Sequence, residues 1–381
     1  MELCGCLLNL FLREFFTYFD GYENMKTKTI CFYPSIKKGS NHFLFNLSKF
    51  LESTGKFRCV GYKEVKKEFS RRLLDADIYH MNWFDQSKSV FSFFSRLLFL
   101  ILLKLKKRKI VWTIHNVQPH IKVPVYNRFL FHFLARFSNV IHIMSKDSVS
   151  IAGVKKYANK VKWIPHGDYY GSYPSSDFDV RNHYEIGSCN SIFLFLGAIK
   201  PYKNIEVLVE AFQKNWNSKI LEEDSPVLLI CGKVETLEYG CTIRRLLEKS
   251  KNVILDAEFI PDEHLAAYLK SATVLVAPYS YQSSLNSGTL PLAFSYGKTL
   301  ICPDIPCVKD VDAETDCLYS YHYENEEEHI KILSQKMEQA YLDFRSGKIV
   351  EKERNAKIYM EKNSWNAHMN DWVSLYEESL C

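Results

Sequence analysis

The amino-acid sequence predicts an α/β protein with two doubly wound, parallel-sheet domains that face each other across a cleft. Strand-like runs alternate with helical patterns along the chain, and one stretch rich in Gly, Pro, Ser and Asp, near residues 166–190, interrupts them. A length of 381 residues suits two ordinary domains, each with its own core. Because ligands of such folds bind beyond the carboxyl ends of the strands, we expect a ligand between the domains.

Four strands are predicted in the first half, at 29–34, 77–83, 109–115 and 139–145, and a helix is predicted from His42 to Ser53. The second half repeats this organisation, with strands at 191–197, 227–233, 252–258, 273–279 and 299–304. We therefore assign residues 25–170 to a first Rossmann-like domain and residues 171–360 to a second. Residues 361–381 are expected to form a helix that packs back toward the first domain.

Residues 1–24 form an apolar extension. They have neither the basic start nor the small-residue cleavage site of a signal peptide. This extension is either a peripheral membrane anchor or the product of an upstream start codon.

The composition is that of a globular protein. A hydrophobic content of 47% and a charged content of 24% exclude wholesale disorder, and a net charge of +5 does not argue for nucleic-acid binding. The eleven cysteines show neither zinc-ligand spacing nor a disulfide framework, and several lie inside apolar strand-like runs. We expect reduced thiols in the cytosol.

Residues 91–109 predict a membrane-surface element. The run FSFFSRLLFLILL is apolar except for Arg96 and two serines, and five basic residues follow it closely: Lys104, Lys106, Lys107, Arg108 and Lys109. Thirteen residues are too few to span a bilayer, which needs about 20. A short apolar helix with a basic flank is typical of an anionic membrane surface, and a buried interdomain helix is the alternative.

Two segments of the second half predict an anion site. A strand ends at Gly197, a short loop carries Lys200 and Lys203, and a helix begins near Asn204. Further on, a loop with Ser287 and Gly288 leads into a helix from about Thr289 to Tyr296. Cations, hydroxyls and N–H groups at helix starts favour phosphate, although a pair of surface lysines is the plainer alternative. No GK[ST] follows, so this is not a Walker loop.

The order of these segments resembles GT-B glycosyltransferases of the family-4 type. It resembles more narrowly a bacterial polysaccharide-assembly branch that is similar to inverting β-mannosyltransferases. The matching segments are HNVQPH (115–120), HGDYYGSYP (166–174), GAIKPYKN (197–204) and NSGTLPLAFSYGKTLI (286–301), within a resemblance that runs from about residue 27 to 376.

The resemblance implies a metal-independent hexosyltransferase without a cofactor. Its donor would be a GDP- or UDP-linked sugar, and its acceptor a lipid-linked glycan of surface polysaccharide biosynthesis at the inner face of the cell membrane. The implied roles are diphosphate neutralisation by Lys200 and Lys203, phosphate binding by Ser287, Gly288 and Thr289, contact with the transferred sugar by His115, and an acceptor and diphosphate border formed by Gly39, Ser40 and Asn41.

Two positions depart from the family pattern. Many family-4 enzymes carry two glutamates separated by seven residues, and the aligned positions here are Ser284 and Leu292. Ribose recognition must therefore come from elsewhere, and retention of configuration cannot be carried over. We expect inversion, which requires a general base, and the candidates are His115 and, less favoured, Asp85 and His120.

Other functions fit the sequence less well. A nucleotide-sugar 2-epimerase shares the diphosphate site but requires carboxylate acid/base pairs in the cleft. A dehydrogenase needs G-x-G-x-x-G after the first strand, where SIKKGSNHF stands instead. A membrane scaffold would leave the two lysines unexplained. The triplet Asp75–Asp77 precedes a strand, and this position favours a structural role over a metal site.

Overall fold

The computed structural model describes residues 27–39, 41–68, 73–116, 124–151, 153–216, 225–248, 250, 252–281 and 284–380. Two six-stranded parallel sheets, each with helices on both faces, form the protein, and the predicted architecture is confirmed. The extension 1–24, Ser40 and His120 lie outside the described residues. Within the described part, no helix is long and apolar enough to cross a membrane.

The first sheet has the strand order β2-β1-β3-β4-β5-β6. Its strands are β1 (Lys28–Tyr33), β2 (Phe57–Gly61), β3 (Ile78–Asn82), β4 (Lys109–Ile114), β5 (Val140–Ile143) and β6 (Val161–Trp163). The helices of this half are α1 (His42–Ser53), α2 (Tyr62–Glu68), α3 (Val90–Leu105), α4 (Val125–Phe137) and α5 (Ser148–Ile151). Helix α1 packs on one face of the sheet, and α3 and α4 pack together on the other.

The second sheet has the strand order β12-β11-β10-β7-β8-β9. Its strands are β7 (Ile192–Leu196), β8 (Val227–Cys231), β9 (Val253–Asp256), β10 (Val274–Val276), β11 (Leu300–Pro303) and β12 (Tyr319–Tyr321). Its helices are α6 (Val180–His183), α7 (Ile205–Asn215), α8 (Leu237–Leu247), α9 (Asp262–Ser271), α10 (Thr289–Ser295), α11 (Pro306–Asp312), α12 (Glu326–Arg345) and α13 (Ile349–Lys362).

The last helix, α14 (Met369–Leu380), lies against the first sheet. The chain therefore passes between the domains twice, once through residues 164–179 and once through residues 363–368. Trp372 and Tyr376 of α14 are fully buried in the same core as α1. This helix completes the core of the domain in which the chain begins.

A row of buried polar groups links three strands of the first sheet to α14. The Nε2 of His80 lies 2.6 Å from Thr113 Oγ1, which lies 2.9 Å from His142 Nδ1. At the ends of the row, His80 Nδ1 meets the Tyr376 hydroxyl at 2.8 Å and His142 Nε2 meets the carbonyl oxygen of Ile164 at 2.9 Å. Burial lowers the pKa of His142 to about 4 and that of His80 well below its usual value.

Candidate functional site

A cleft of about 350 Å³ lies between the two domains. The first domain contributes Asn116, from the loop after β4, and the first interdomain segment contributes Tyr169 and Tyr173. The second domain supplies the rest of the described lining: Leu196, Gly197, Tyr202, Lys203, Leu265, Tyr279, Ser284, Asn286, Ser287, Gly288, Thr289 and Leu292. As predicted, the cleft opens where the strands of both sheets have their carboxyl ends.

Two glycines shape the loop that carries the predicted lysines. Gly197 and Gly232 have φ angles of +141° and +145°, which side chains rarely adopt. A Cβ at Gly232 would lie 2.1 Å from the carbonyl oxygen of Gly197, so the ends of β7 and β8 approach each other closely only because glycine stands there. Asn204 then fastens the loop to the end of β10 by donating from Nδ2 to the carbonyl oxygen of Pro278 at 2.8 Å.

The structure separates the two predicted lysines. Lys203 lines the cleft, and its Nζ lies 3.8 Å from the ring centroid of Tyr279, within cation–π distance. Lys200 is absent from the described lining and instead forms an ion pair of 3.2 Å with Glu235. Among the described residues that line the cleft, Lys203 is the one that carries a charge.

The three predicted phosphate-binding residues lie together at the start of α10. Ser287, Gly288 and Thr289 all line the cleft, with Gly288 at the N-cap position. The hydroxyl of Tyr279 is hydrogen-bonded to Thr289 Oγ1 at 2.8 Å and accepts from Ser287 Oγ at 3.3 Å. The Tyr279 side chain thus contacts Lys203 through its ring and the start of α10 through its hydroxyl.

Sequence reasoning overlooked Tyr279. The available signal was its place directly after Pro278, beyond the carboxyl end of β10. It also overlooked Tyr169 and Tyr173, the cleft-lining tyrosines of the first interdomain segment, although the motif HGDYYGSYP contains both. The Tyr169 hydroxyl is 3.5 Å from His166 Nε2, and a Cβ at Gly288 would lie 3.6 Å from that hydroxyl. Burial raises the pKa of Tyr169, so its hydroxyl stays protonated near the cleft.

The loop after β1 carries the predicted border residues Gly39 and Asn41, but the residue that contacts the second domain is their neighbour His42. Asn41 caps α1, its Oδ1 accepting from the N–H of Leu44 at 3.1 Å, and Gly39 has a φ of +80°. Neither is part of the described lining. His42 crosses to the second domain, where its Nε2 lies 3.2 Å from Asp262 Oδ2, and its ring packs on Tyr173 at 4.6 Å.

The predicted base His115 is held inside the first domain. Its Nε2 lies 2.8 Å from Asn82 Oδ1, and its ring is stacked on Trp83 at 3.9 Å. Burial, followed by the nearby His142, His80 and His166, lowers its pKa well below the usual value, so the imidazole is neutral at pH 7. Asn116, rather than His115, lines the cleft.

Asp85 is buried and is likewise absent from the described lining. The choice of base therefore stays a prediction.

Both positions that depart from the family pattern face the cleft. Ser284 and Leu292 belong to its lining, so the surface where family-4 enzymes carry two glutamates is uncharged here. Of the two aspartates in the segment Asp75–Asp77, Asp77 accepts from the N–H of Thr29 at 2.9 Å and lies 3.9 Å from Lys28 Nζ, contacts that link β1 to the start of β3. No group of three metal-binding side chains comes together within the described ranges.

Comparison with known proteins adds a family match to this geometry. Residues 178–342 match the family described as Glycosyl transferases group 1. No curated protein sequence matches the chain.

Solved structures resemble nearly the whole chain. The HepE protein of Anabaena, solved with UDP-glucose, is 12% identical, with 92% of this chain and 100% of that chain covered and a TM-score of 0.65. The sucrose-phosphate synthase of Thermosynechococcus elongatus is 14% identical, with 92% and 99% covered and a TM-score of 0.67. WaaG, a glycosyltransferase involved in lipopolysaccharide biosynthesis, is 12% identical, with 87% and 95% covered and a TM-score of 0.57. The protein has the GT-B fold, and its residues 178–342 carry a group 1 glycosyltransferase domain.

Proposed function

We propose that the protein is a hexosyltransferase that moves a sugar from a GDP- or UDP-linked donor to a lipid-linked glycan in surface polysaccharide biosynthesis. The observation that carries this proposal is the meeting of Lys203 with Ser287, Gly288 and Thr289 around one cleft, with Tyr279 between them. One fixed cation, two hydroxyls and a glycine that admits close backbone approach suit a diphosphate. The group 1 match spans these residues, and HepE was solved with UDP-glucose.

The chemistry required of such a site is stabilisation of the leaving diphosphate. As the bond between the anomeric carbon and the diphosphate oxygen breaks, negative charge grows on the diphosphate. A positioned lysine stabilises that charge without a metal ion, so we propose metal-independent transfer. The acceptor hydroxyl attacks the anomeric carbon with inversion and gives its proton to a base, for which His115 remains the leading candidate.

A second surface supports a lipid-linked acceptor. One side of α3 packs on the sheet, whereas the opposite side presents an exposed stripe that continues onto α4: Phe91, Phe94, Leu98, Ile101, Leu105, Val125, Phe129 and Phe133. Phe91 is 84% and Leu105 75% exposed. Lys106 and Lys107 stand exposed at the end of α3. An apolar face with a cationic border suits the surface of an anionic membrane.

We accordingly place the enzyme on the cytoplasmic face of the cell membrane. The eight cysteines within the described residues are free thiols, which is in keeping with a reducing compartment. WaaG, whose fold is similar, is named for lipopolysaccharide biosynthesis.

The epimerase alternative is not favoured. The family match is to glycosyltransferases, and the cleft lining that is described carries no carboxylate for an acid/base pair. The experiment that tests the proposal is thermal stabilisation by GDP, UDP, ADP and NAD, followed by transfer assays with GDP-mannose and UDP-glucose. Stabilisation by GDP or UDP alone supports the proposal, and a preference for NAD contradicts it. Transfer from GDP-mannose with inversion would support the β-mannosyl form of the reaction.

A further inference from the structure

An aromatic ring, and not a carboxylate, holds the ammonium group of Lys203. Its Nζ lies 3.8 Å from the ring centroid of Tyr279, and the ring of Tyr202 is more distant at 5.5 Å. Within the part of the chain that the structure describes, no acidic side chain forms an ion pair with Lys203, whereas the neighbouring Lys200 is paired with Glu235 at 3.2 Å. The two lysines of this loop therefore have partners of different charge.

The charge of the partner decides how much of the lysine charge a ligand meets. A carboxylate would cancel the ammonium charge, and an incoming diphosphate would have to displace it. The face of a ring attracts a cation through its quadrupole but carries no net charge. Contact with the ring also restricts a side chain that otherwise has many rotamers, which reduces the entropy lost when a ligand is bound. The Tyr279 ring thus fixes the Lys203 cation and leaves its charge available.

Tyr279 is itself fixed by its surroundings. Its side chain is buried, with 3% of the residue exposed. Its carbonyl oxygen accepts from the Tyr323 hydroxyl at 3.2 Å. Directly before it, the carbonyl oxygen of Pro278 accepts from Asn204, which follows Lys203. The lysine loop and the segment that carries Tyr279 are therefore joined by a hydrogen bond as well as by the cation–π contact.

The hydroxyl of Tyr279 contacts the other half of the site, the start of α10. It accepts from Ser287 Oγ at 3.3 Å and is hydrogen-bonded to Thr289 Oγ1 at 2.8 Å. Ser287 Oγ in turn accepts from the N–H of Leu290 at 3.3 Å. The three hydroxyls have three protons and use two of them in the bonds between these groups, so one remains for an acceptor such as a phosphate oxygen.

We propose that Tyr279 is a positioning residue of the diphosphate site: its ring holds the Lys203 cation at full charge, and its hydroxyl fixes the Thr289 side chain at the start of α10. This inference rests on the proposed function. The donor then meets a cation and a helix start whose relative positions are set before it binds, and this preorganisation strengthens binding of the diphosphate. Because the ring acts through Lys203, it should matter only while that lysine is present.

Double-mutant cycles measured by calorimetry test this role. Dissociation constants are determined for UDP and GDP, and thermal unfolding without ligand shows whether each variant is folded. Tyr279→Phe keeps the ring and should weaken the nucleoside diphosphate about threefold, whereas Tyr279→Leu removes ring and hydroxyl and should weaken it about 10-fold. Combined with Lys203→Ala, the same two variants should bind equally, because no cation is left for the ring to hold.

The hydroxyl is tested against Thr289, and this second cycle does not depend on whether Tyr279→Leu folds. Tyr279→Phe should cost about threefold in the wild type and nothing further in Thr289→Val. Tyr157→Leu is the matched control. The Tyr157 ring lies 5.1 Å from Lys156 Nζ in the first domain and takes no part in the described cleft lining, so its loss should leave both dissociation constants unchanged.

The outcomes separate this inference from the proposed function. If the step from Phe to Leu costs as much without Lys203 as with it, the ring does not act through the lysine and the inference is wrong, while the proposed function stands. An equal loss on Tyr279→Phe with and without the Thr289 hydroxyl would likewise refute the role of the Tyr279 hydroxyl. If the wild type binds neither UDP nor GDP, the proposed function and this inference both fail.

Discussion

Trp365 is fastened to Asp168 by two hydrogen bonds. The indole Nε1–H donates to the carbonyl oxygen of Asp168 at 2.8 Å, and the backbone N–H of Trp365 donates to its Oδ2 at 3.0 Å. The two residues belong to the two separate segments through which the chain passes between the domains. Gly167 makes room for the contact, because a Cβ there would lie 2.2 Å from the indole ring. The two segments that connect the domains, residues 164–179 and 363–368, are thus hydrogen-bonded to each other.

Lys203→Ala should weaken binding of the nucleoside diphosphate about 10- to 100-fold, because a charge-assisted hydrogen bond contributes about 1.5–3 kcal/mol. Lys200→Ala is the matched control: since its ammonium group pairs with Glu235 at the surface, its loss should cost less than about fivefold. Isothermal titration calorimetry measures both. Equal losses in the two variants would contradict the separation of the lysines seen in the structure.

Activity should survive chelation. If Lys203 and the start of α10 stabilise the leaving diphosphate, no divalent cation is required, and turnover in EDTA should equal turnover without it. The measurement is the initial rate of sugar transfer before and after EDTA treatment, with added magnesium or manganese as the control. Loss of turnover that either metal restores would show that a cation takes part.

The exposed face of α3 and α4 should bind anionic vesicles. Replacing Phe91 and Phe94 with Ser, or Lys106 and Lys107 with Gln, should reduce cosedimentation with such vesicles. The wild type should dissociate as salt rises, because charges are screened within about 10 Å at 0.1 M. Leu237→Gln, at a 92% exposed position on α8 of the second domain, is the control and should bind like the wild type. A wild type that never sediments with anionic vesicles would refute the proposed membrane surface.

The stereochemical outcome tests the assignment of the base. Inversion requires a group that takes the acceptor proton, and His115→Ala should then lower turnover about 10²–10⁴-fold with little change in nucleotide affinity. NMR of the product gives its anomeric configuration relative to the donor. Retention would end the inverting mechanism. Inversion with a fully active His115→Ala enzyme would transfer the role to Asp85, His120 or another residue.

Stability should fall as the pH drops from about 6.5 toward 4. His142 and His166 have folded-state pKa values lowered to about 4 by burial, so the unfolded chain binds more protons in this window and unfolding becomes easier. Each of these two histidines should lower the free energy of unfolding by on the order of 3 kcal/mol as the pH falls across this window. Urea denaturation at a series of pH values measures this slope, which should be shallower in His142→Asn. An equal slope in that variant would refute the role of His142.

Sequence patterns predicted the central strands of both sheets and missed three of the four edge strands. The three strands without a prediction, β2, β6 and β12, are all edge strands, at three of the four edges of the two sheets. The central strand β10 (VLV) is fully buried and reads as a continuous apolar run, whereas β2 (FRCVG), β6 (VKW) and β12 (YSY) are each interrupted by a polar residue. Hydrophobic periodicity therefore detects the strands that build the core and overlooks those that border it.

The candidate site was predictable where motifs lie at strand ends and unpredictable where it depends on contacts between distant segments. Lys203 and Ser287–Thr289 follow strands and were found from sequence alone. Nothing in the sequence indicates that the Lys203 ammonium group packs on the ring of Tyr279, or that Lys200 forms an ion pair with Glu235. These differences arise from side-chain directions, which a linear pattern does not contain.

The position of α14 has a consequence for synthesis. The face of the first sheet that holds Trp372 and Tyr376 stays uncovered until α14 has been synthesised, because the entire second domain precedes that helix in the sequence. The domain translated first is therefore the domain completed last, and Tyr376 cannot close the buried row that starts at His80 before then. Removal of α14 would expose the core that Trp372 and Tyr376 share with α1.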